Sequence, residues 1–278
     1  MKNFIVRTIS GAVYVGLIIA AALAGQIWFG LLLTLFAAVA AIEFGSLTGE
    51  FSSDGGAVGA SIAATTVTAA AATVWSMGTA LIAVPAIAIL FFLTRSVLAL
   101  YDKRPGAFMA VGHSVLCYAY IGIPLGLMNM LYSISGLTGS PAGTVIMIFL
   151  MIWLNDTGAY LVGSRIGRRR LFERLSPKKS WEGFIGGLLF CVLAGVAAGE
   201  WLHGPVGQWQ WLAVGVLVCV FSTWGDLFES LLKRNLGVKD SGSLIPGHGG
   251  ILDRIDSLLF VAPAISLFLF LSVYYYIL

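Results

Sequence analysis

Residues 230–256, SLLKRNLGVKDSGSLIPGHGGILDRID, set Lys233, Arg234, Lys239, Asp240, His248, Asp253, Arg254 and Asp256 between two apolar segments. Cations can hold phosphate oxygens, carboxylates can hold a hard divalent metal, and the Pro-Gly-His-Gly-Gly turn lets backbone approach a ligand closely. Each charge resists leaving water, so a cluster at the edge of apolar segments needs a reason. Just upstream, Asp226 and Glu229 stand at i, i+3, and Ser230 and Lys233 extend that helical face by i, i+4 steps. Asp253 and Asp256 repeat the i, i+3 spacing. If these two helix ends pack together, four carboxylates converge and repel. A bound Mg2+ would compensate them, since it prefers oxygen ligands and keeps waters or substrate phosphates in its shell. Interhelical salt bridges with Lys233 and Arg254 are the other compensation open to them.

Further candidates lie elsewhere. Gly247, Gly249 and Gly250 surround His248 and read either as a tight turn before a helix or as backbone N–H groups offered to an anion there. The segment Ser176-Pro177-Lys178-Lys179-Ser180-Trp181-Glu182-Gly183 places two lysines between a Ser-Pro turn and an interfacial Trp. Lys178 and Lys179 could hold phosphate there. The neighbouring Arg168, Arg169 and Arg170 read as an orientation signal that attracts anionic headgroups. Asn155 and Asp156 fall inside an apolar run and are either functional or in an interhelical hydrogen bond. His113 and Glu43 read as packing or interface residues. Cys117, Cys191 and Cys219 lie in apolar runs without a CxxC spacing and read as buried thiols.

The elements that must position these groups are membrane helices. The 278 residues are 59% hydrophobic and 10% charged, against about 25% charged in soluble domains, and mean hydropathy is +0.94. This excludes a soluble protein. Hydropathy predicts an all-α polytopic membrane protein with about nine transmembrane helices, near 9–25, 28–45, 57–75, 79–100, 107–131, 143–163, 183–201, 209–232 and 253–275. Residues 1–105 form an N-terminal group of spans, and 106–278 carry the loops with the chemistry. With nine spans, all sixteen Lys and Arg fall on one side of the membrane. The positive-inside pattern then puts the N-terminus and both charged loops in the cytoplasm. The stretch ending Ala22-Leu23-Ala24-Gly25 resembles a cleavable signal, but reads as a retained first span. Walker A, HExxH and GxSxG motifs are absent from the sequence.

Residues 230–256 resemble the signature of the phosphatidate cytidylyltransferase family, also called CDP-diacylglycerol synthases. The pattern is Ser230, Lys233-Arg234, Lys239-Asp240, a small-residue turn, Pro246-x-His248-Gly249-Gly250 and apolar-x-Asp253-Arg254-apolar-Asp256. The segments at 225–230 and 176–183 look like family features too, with Ser180 where Thr is more usual. The strong resemblance covers roughly residues 150–260. It implies transfer of CMP from CTP to phosphatidate, giving CDP-diacylglycerol and pyrophosphate, with Mg2+ and a neighbouring K+. The carry-over puts the metal on Asp226 and Asp253, supported by Asp256 and Glu229. It assigns Lys233, Arg234, Lys239, Asp240, His248 and Arg254 to the reaction, and Ser176, Lys178, Lys179, Glu182, Gly249 and Gly250 to substrate binding. The expected partners are CTP, phosphatidate and membrane lipids, with no nucleic acid; packed helix ends would suit a homodimer. The expected location is a bacterial plasma membrane, with the site facing the cytoplasm.

Overall fold

The computed structural model describes residues 2–49, 77–103, 106–134, 140–202, 206–238, 240–242 and 249–277. Its elements are α1 (Lys2–Ala24), α2 (Gln26–Leu47), α3 (Met77–Tyr101), α4 (Ala107–Cys117), a π-helical turn (Tyr118–Gly122), α5 (Ile123–Ile134), α6 (Pro141–Ile166), β1 (Arg170–Phe172), β2 (Ser176–Ser180), α7 (Trp181–Trp201), α8 (Gln208–Asn235) and α9 (Leu252–Ile277). The α4, π and α5 pieces form one rod. Among the described residues, seven helical spans are long and apolar enough to cross a membrane. The expected span at 57–75 lies outside the described residues, and the other eight expected spans coincide with helical rods. A short antiparallel hairpin, β1–β2, occupies the basic connection between α6 and α7. Trp181 N closes its base on Arg169 O at 2.9 Å.

The chain divides into two compact units, Met1–Met130 with Asp240–Arg254, and Leu131–Lys239 with Ile255–Leu278. The first unit thus runs past residue 105 and takes in the motif segment around Gly249-Gly250. In it, Tyr14 of α1 stacks on Phe36 of α2, with ring centroids 5.9 Å apart. Phe44 of α2 and Phe91 of α3 pack on Tyr120 and Tyr118 of the π turn.

The second unit is built on α6, α7 and α8. Along α7, Gly183, Gly187, Cys191, Ala194 and Ala198 are buried, whereas Ile185, Leu189 and Leu193 are exposed. Small residues inside and large apolar residues outside is the pattern of a helix that meets protein on one face and lipid on the other. The close packing is specific: a Cβ on Gly183 would lie 2.9 Å from Ala159 O of α6, and one on Gly187 would lie 2.9 Å from Asn155 O. Ser180 caps α7, its Oγ accepting from Gly183 N at 3.1 Å. Ser140 does the same for α6, with Pro141 in the first turn. Between α8 and α9 the backbones also approach closely. A Cβ on Gly225 would lie 2.7 Å from Asp256 O, Ser257 Oγ donates to Ser222 O at 3.2 Å, and Phe228 packs on Phe260 at 5.3 Å.

Candidate active site

That small-residue contact between α8 and α9 determines the site in the second unit. It brings Asp226 and Glu229, one helical turn apart on α8, to Asp256 on α9, with one oxygen from each lying within 4.8 Å of the others. Lys179 at the end of β2 pairs with Asp226, and Lys233 Nζ lies 2.7 Å from Glu229 Oε2. Ser230 Oγ donates to Asp226 Oδ1 at 3.5 Å, and Ser257 N donates to Asp256 Oδ1 at 2.6 Å. Glu229 is only 1% exposed, so its charge depends on these neighbours. Three carboxylates offset by only two ammonium groups form an all-oxygen, hard donor set with one negative charge left over. Such a set fits a hard divalent ion such as Mg2+.

Lys233 pairs with Glu229 within one helix, i to i+4, and Lys179 crosses from β2 to Asp226 on α8. The two lysines of the Ser-Pro-Lys-Lys segment also part company. Successive side chains alternate across a strand, so Lys179 turns to Asp226 while Lys178 is exposed. Ser176 begins β2, half-buried. Glu182 shapes the hairpin, because its carboxylate accepts Arg168 N at 3.0 Å and Arg169 N at 3.2 Å. Arg234 is exposed and donates to Val238 O at 3.4 Å. Asn155 makes the interhelical bond, its Nδ2 donating to Ser222 Oγ at 3.4 Å, and Asp156 beside it is exposed.

In the first unit, Asp253 Oδ2 accepts Gly250 N at 2.9 Å and Ser241 N at 3.0 Å. The anion at the Gly249-Gly250 turn is therefore a side chain of this chain. Gly249 has φ +86°, a left-handed conformation that glycine adopts without a Cβ penalty. Asp240 and Arg254 are exposed. Lys239 and His248 lie outside the described residues. Glu43 is the residue that sequence reasoning missed. On α2 it accepts Ile251 N and Leu252 N, each at 2.9 Å, and so caps the start of α9. Its one sequence signal was an isolated carboxylate inside an apolar span.

Fold and site together define a helical integral membrane protein that gathers carboxylates and lysines where helix ends meet a basic hairpin. The family model described as "Cytidylyltransferase family" matches residues 5–272, and the chain belongs to that family. Its relatives include proteins named phosphatidate cytidylyltransferase. That of Staphylococcus aureus (strain COL) is 39% identical over 171 residues, 62% of this chain and 64% of the relative. That of Staphylococcus saprophyticus is 37% identical over 168 residues, 60% and 62% respectively. That of Staphylococcus epidermidis is 39% identical over 169 residues, again 60% and 62%. The matched stretch thus spans less than two thirds of each of these relatives.

Proposed function

We propose that this chain transfers CMP from CTP to phosphatidate, forming CDP-diacylglycerol and pyrophosphate. The observation that carries this reading is the Asp226–Glu229–Asp256 cluster with Lys179 and Lys233, in a chain of the cytidylyltransferase family. Nucleophile and electrophile are both phosphate groups and repel each other. Cations must therefore bring them together and offset the charge on the departing pyrophosphate. Lys179 and Lys233 can exchange carboxylate partners for phosphate oxygens as substrate arrives, and their paired carboxylates hold them in place until then. Arg234 and Arg254 are exposed and can engage phosphate bidentately. A phosphate dianion is already a competent nucleophile, so no strong general base is required of His248.

Asp226, Glu229 and Asp256 of the second unit would hold Mg2+; a metal role for Asp253 of the first unit, and a K+, are what the family resemblance implies. When bound, Mg2+ would polarise the nucleotide phosphates and spread their charge.

The lipid keeps its acyl chains in the bilayer while CTP arrives from the cytoplasm, which supports a site at the cytoplasmic interface, and the bacterial relatives support a plasma-membrane location. With nine spans the N-terminus is also cytoplasmic. In a background lacking the native cysteines, Ser176→Cys should react with a membrane-impermeant reagent only after the membrane is opened, and Ser135→Cys in intact cells. Equal labelling of both from outside would refute this orientation. Residue 135 lies outside the described residues.

The direct check on activity uses purified protein, Mg2+, labelled CTP and phosphatidate in detergent micelles. The expected product is a labelled CDP-lipid, formed only when both substrates are present. A folded preparation that makes none would overturn the transfer reading.

A further inference from the structure

Glu43 lies near the C-terminal end of α2, 8% exposed, and no step above uses it. All of its contacts below fall within the first unit. Its Oε1 accepts Ile251 N at 2.9 Å, and its Oε2 accepts Leu252 N at 2.9 Å and Ser241 Oγ at 3.2 Å. The first N–H groups of a helix have no partner within it. A carboxylate placed there satisfies them and faces the positive end of the helix dipole. In α9 this role falls to a residue about two hundred positions away in sequence.

The same side chain also explains two glycines. A Cβ on Gly242 would stand 2.9 Å from Glu43 Oε1, and one on Gly250 would collide with Glu43 Oε2 and Ser241 Oγ. Asp253 holds Ser241 and Gly250 through their backbone N–H groups. From α1, Tyr14 Oη donates to Arg254 O at 3.1 Å. Residues 240–242 and 249–254 are thus fixed by two carboxylates and a phenol, and only Asp253 belongs to the segment itself. A purely packing role would not need three donors converging on one carboxylate.

We propose that Glu43 is a positioning residue for the reaction, holding Asp240, Gly249, Gly250, Asp253 and Arg254 in one working conformation. This role rests on the transfer reading above. Glu43→Gln keeps the volume and removes the charge. Its amide NH2 must then confront at least one of the donors Ile251 N, Leu252 N or Ser241 Oγ.

Two measurements test the role. In protein without substrate, hydrogen exchange at Ile251 and Leu252 should speed up by about tenfold or more in Glu43→Gln. In the transfer assay, corrected for folded protein, kcat should fall by about 10- to 100-fold, the scale seen when a supporting partner is lost, while KM for CTP changes little. Unchanged exchange would overturn the clamp. Faster exchange with native kcat would show Glu43 to be structural only, and would also overturn the proposal. A wild-type chain that protects these amides yet makes no CDP-lipid would sink the transfer reading, and the positioning role with it. Should Glu43→Gln fail to fold, Glu43→Asp, which keeps the charge on a shorter arm, is read the same way with a smaller expected loss.

Discussion

Asp226→Asn should make CDP-lipid at least about 10²- to 10³-fold more slowly than the wild type, the scale lost when one group that stabilises a transition state is removed. The reason lies in the charge count of the cluster. Asp226, Glu229 and Asp256 present oxygens within 4.8 Å of each other, and Lys179 and Lys233 pair with two of them. Asn keeps the shape of Asp but turns an anionic donor into a neutral one. A divalent ion and Lys179 then meet a neutral amide oxygen in place of a carboxylate, since the amide can turn its NH2 toward Ser230 Oγ. The fold should survive, because Asp226 is half-buried and its other bond, from Ser230 Oγ, is long at 3.5 Å. The check is a rate measured across a Mg2+ titration beside a thermal melt in detergent. Weakened metal binding predicts partial recovery at high Mg2+ by mass action. A rate near that of wild type at every Mg2+ concentration would remove Asp226 from the site.

Asp253→Asn carries the second large effect, and its structural setting makes it diagnostic. The Oδ2 of Asp253 accepts two backbone N–H groups, from Ser241 and Gly250. An Asn side chain still offers a carbonyl oxygen to both. The local conformation should therefore persist, and hydrogen exchange at Gly250 should stay close to native. Turnover should nevertheless disappear, because the family resemblance assigns this charge to the metal. Asp253→Ala separates the two roles, since it removes the acceptor as well as the charge and should also loosen Gly250. If Asp253→Asn works at near-native speed while Asp253→Ala does not, then Asp253 is a turn-forming residue and the metal assignment to it fails.

Much of this was legible in the chain. Apolar runs of helical length placed the described spans, because each helix satisfies its own backbone within the bilayer and needs no partner to be recognised. The i, i+3 spacing of Asp226 with Glu229 was equally readable, because one helical turn is a local rule. So was the charge-rich segment between α8 and α9. The expected convergence of helix-end carboxylates holds for three of them: Asp226, Glu229 and Asp256.

What the spacing could not supply was the partner of each group. Lys178 and Lys179 are neighbours in sequence, yet a strand turns them to opposite faces, and only the register of a hairpin with no hydropathy signal decides which one meets Asp226. Glu43 reads from sequence as a packing or interface residue, and nothing local names its donors, Ile251 and Leu252, 208 and 209 residues further on. The residues alone thus determined that this is a membrane protein of helices with carboxylates and cations clustered at helix ends, since hydropathy and turn periodicity are properties of adjacent residues. Which carboxylate faces which cation was left to tertiary packing. That packing is set by where glycines such as Gly183, Gly187 and Gly225 let backbones come within contact distance, and the fit between two such surfaces is not written in either one.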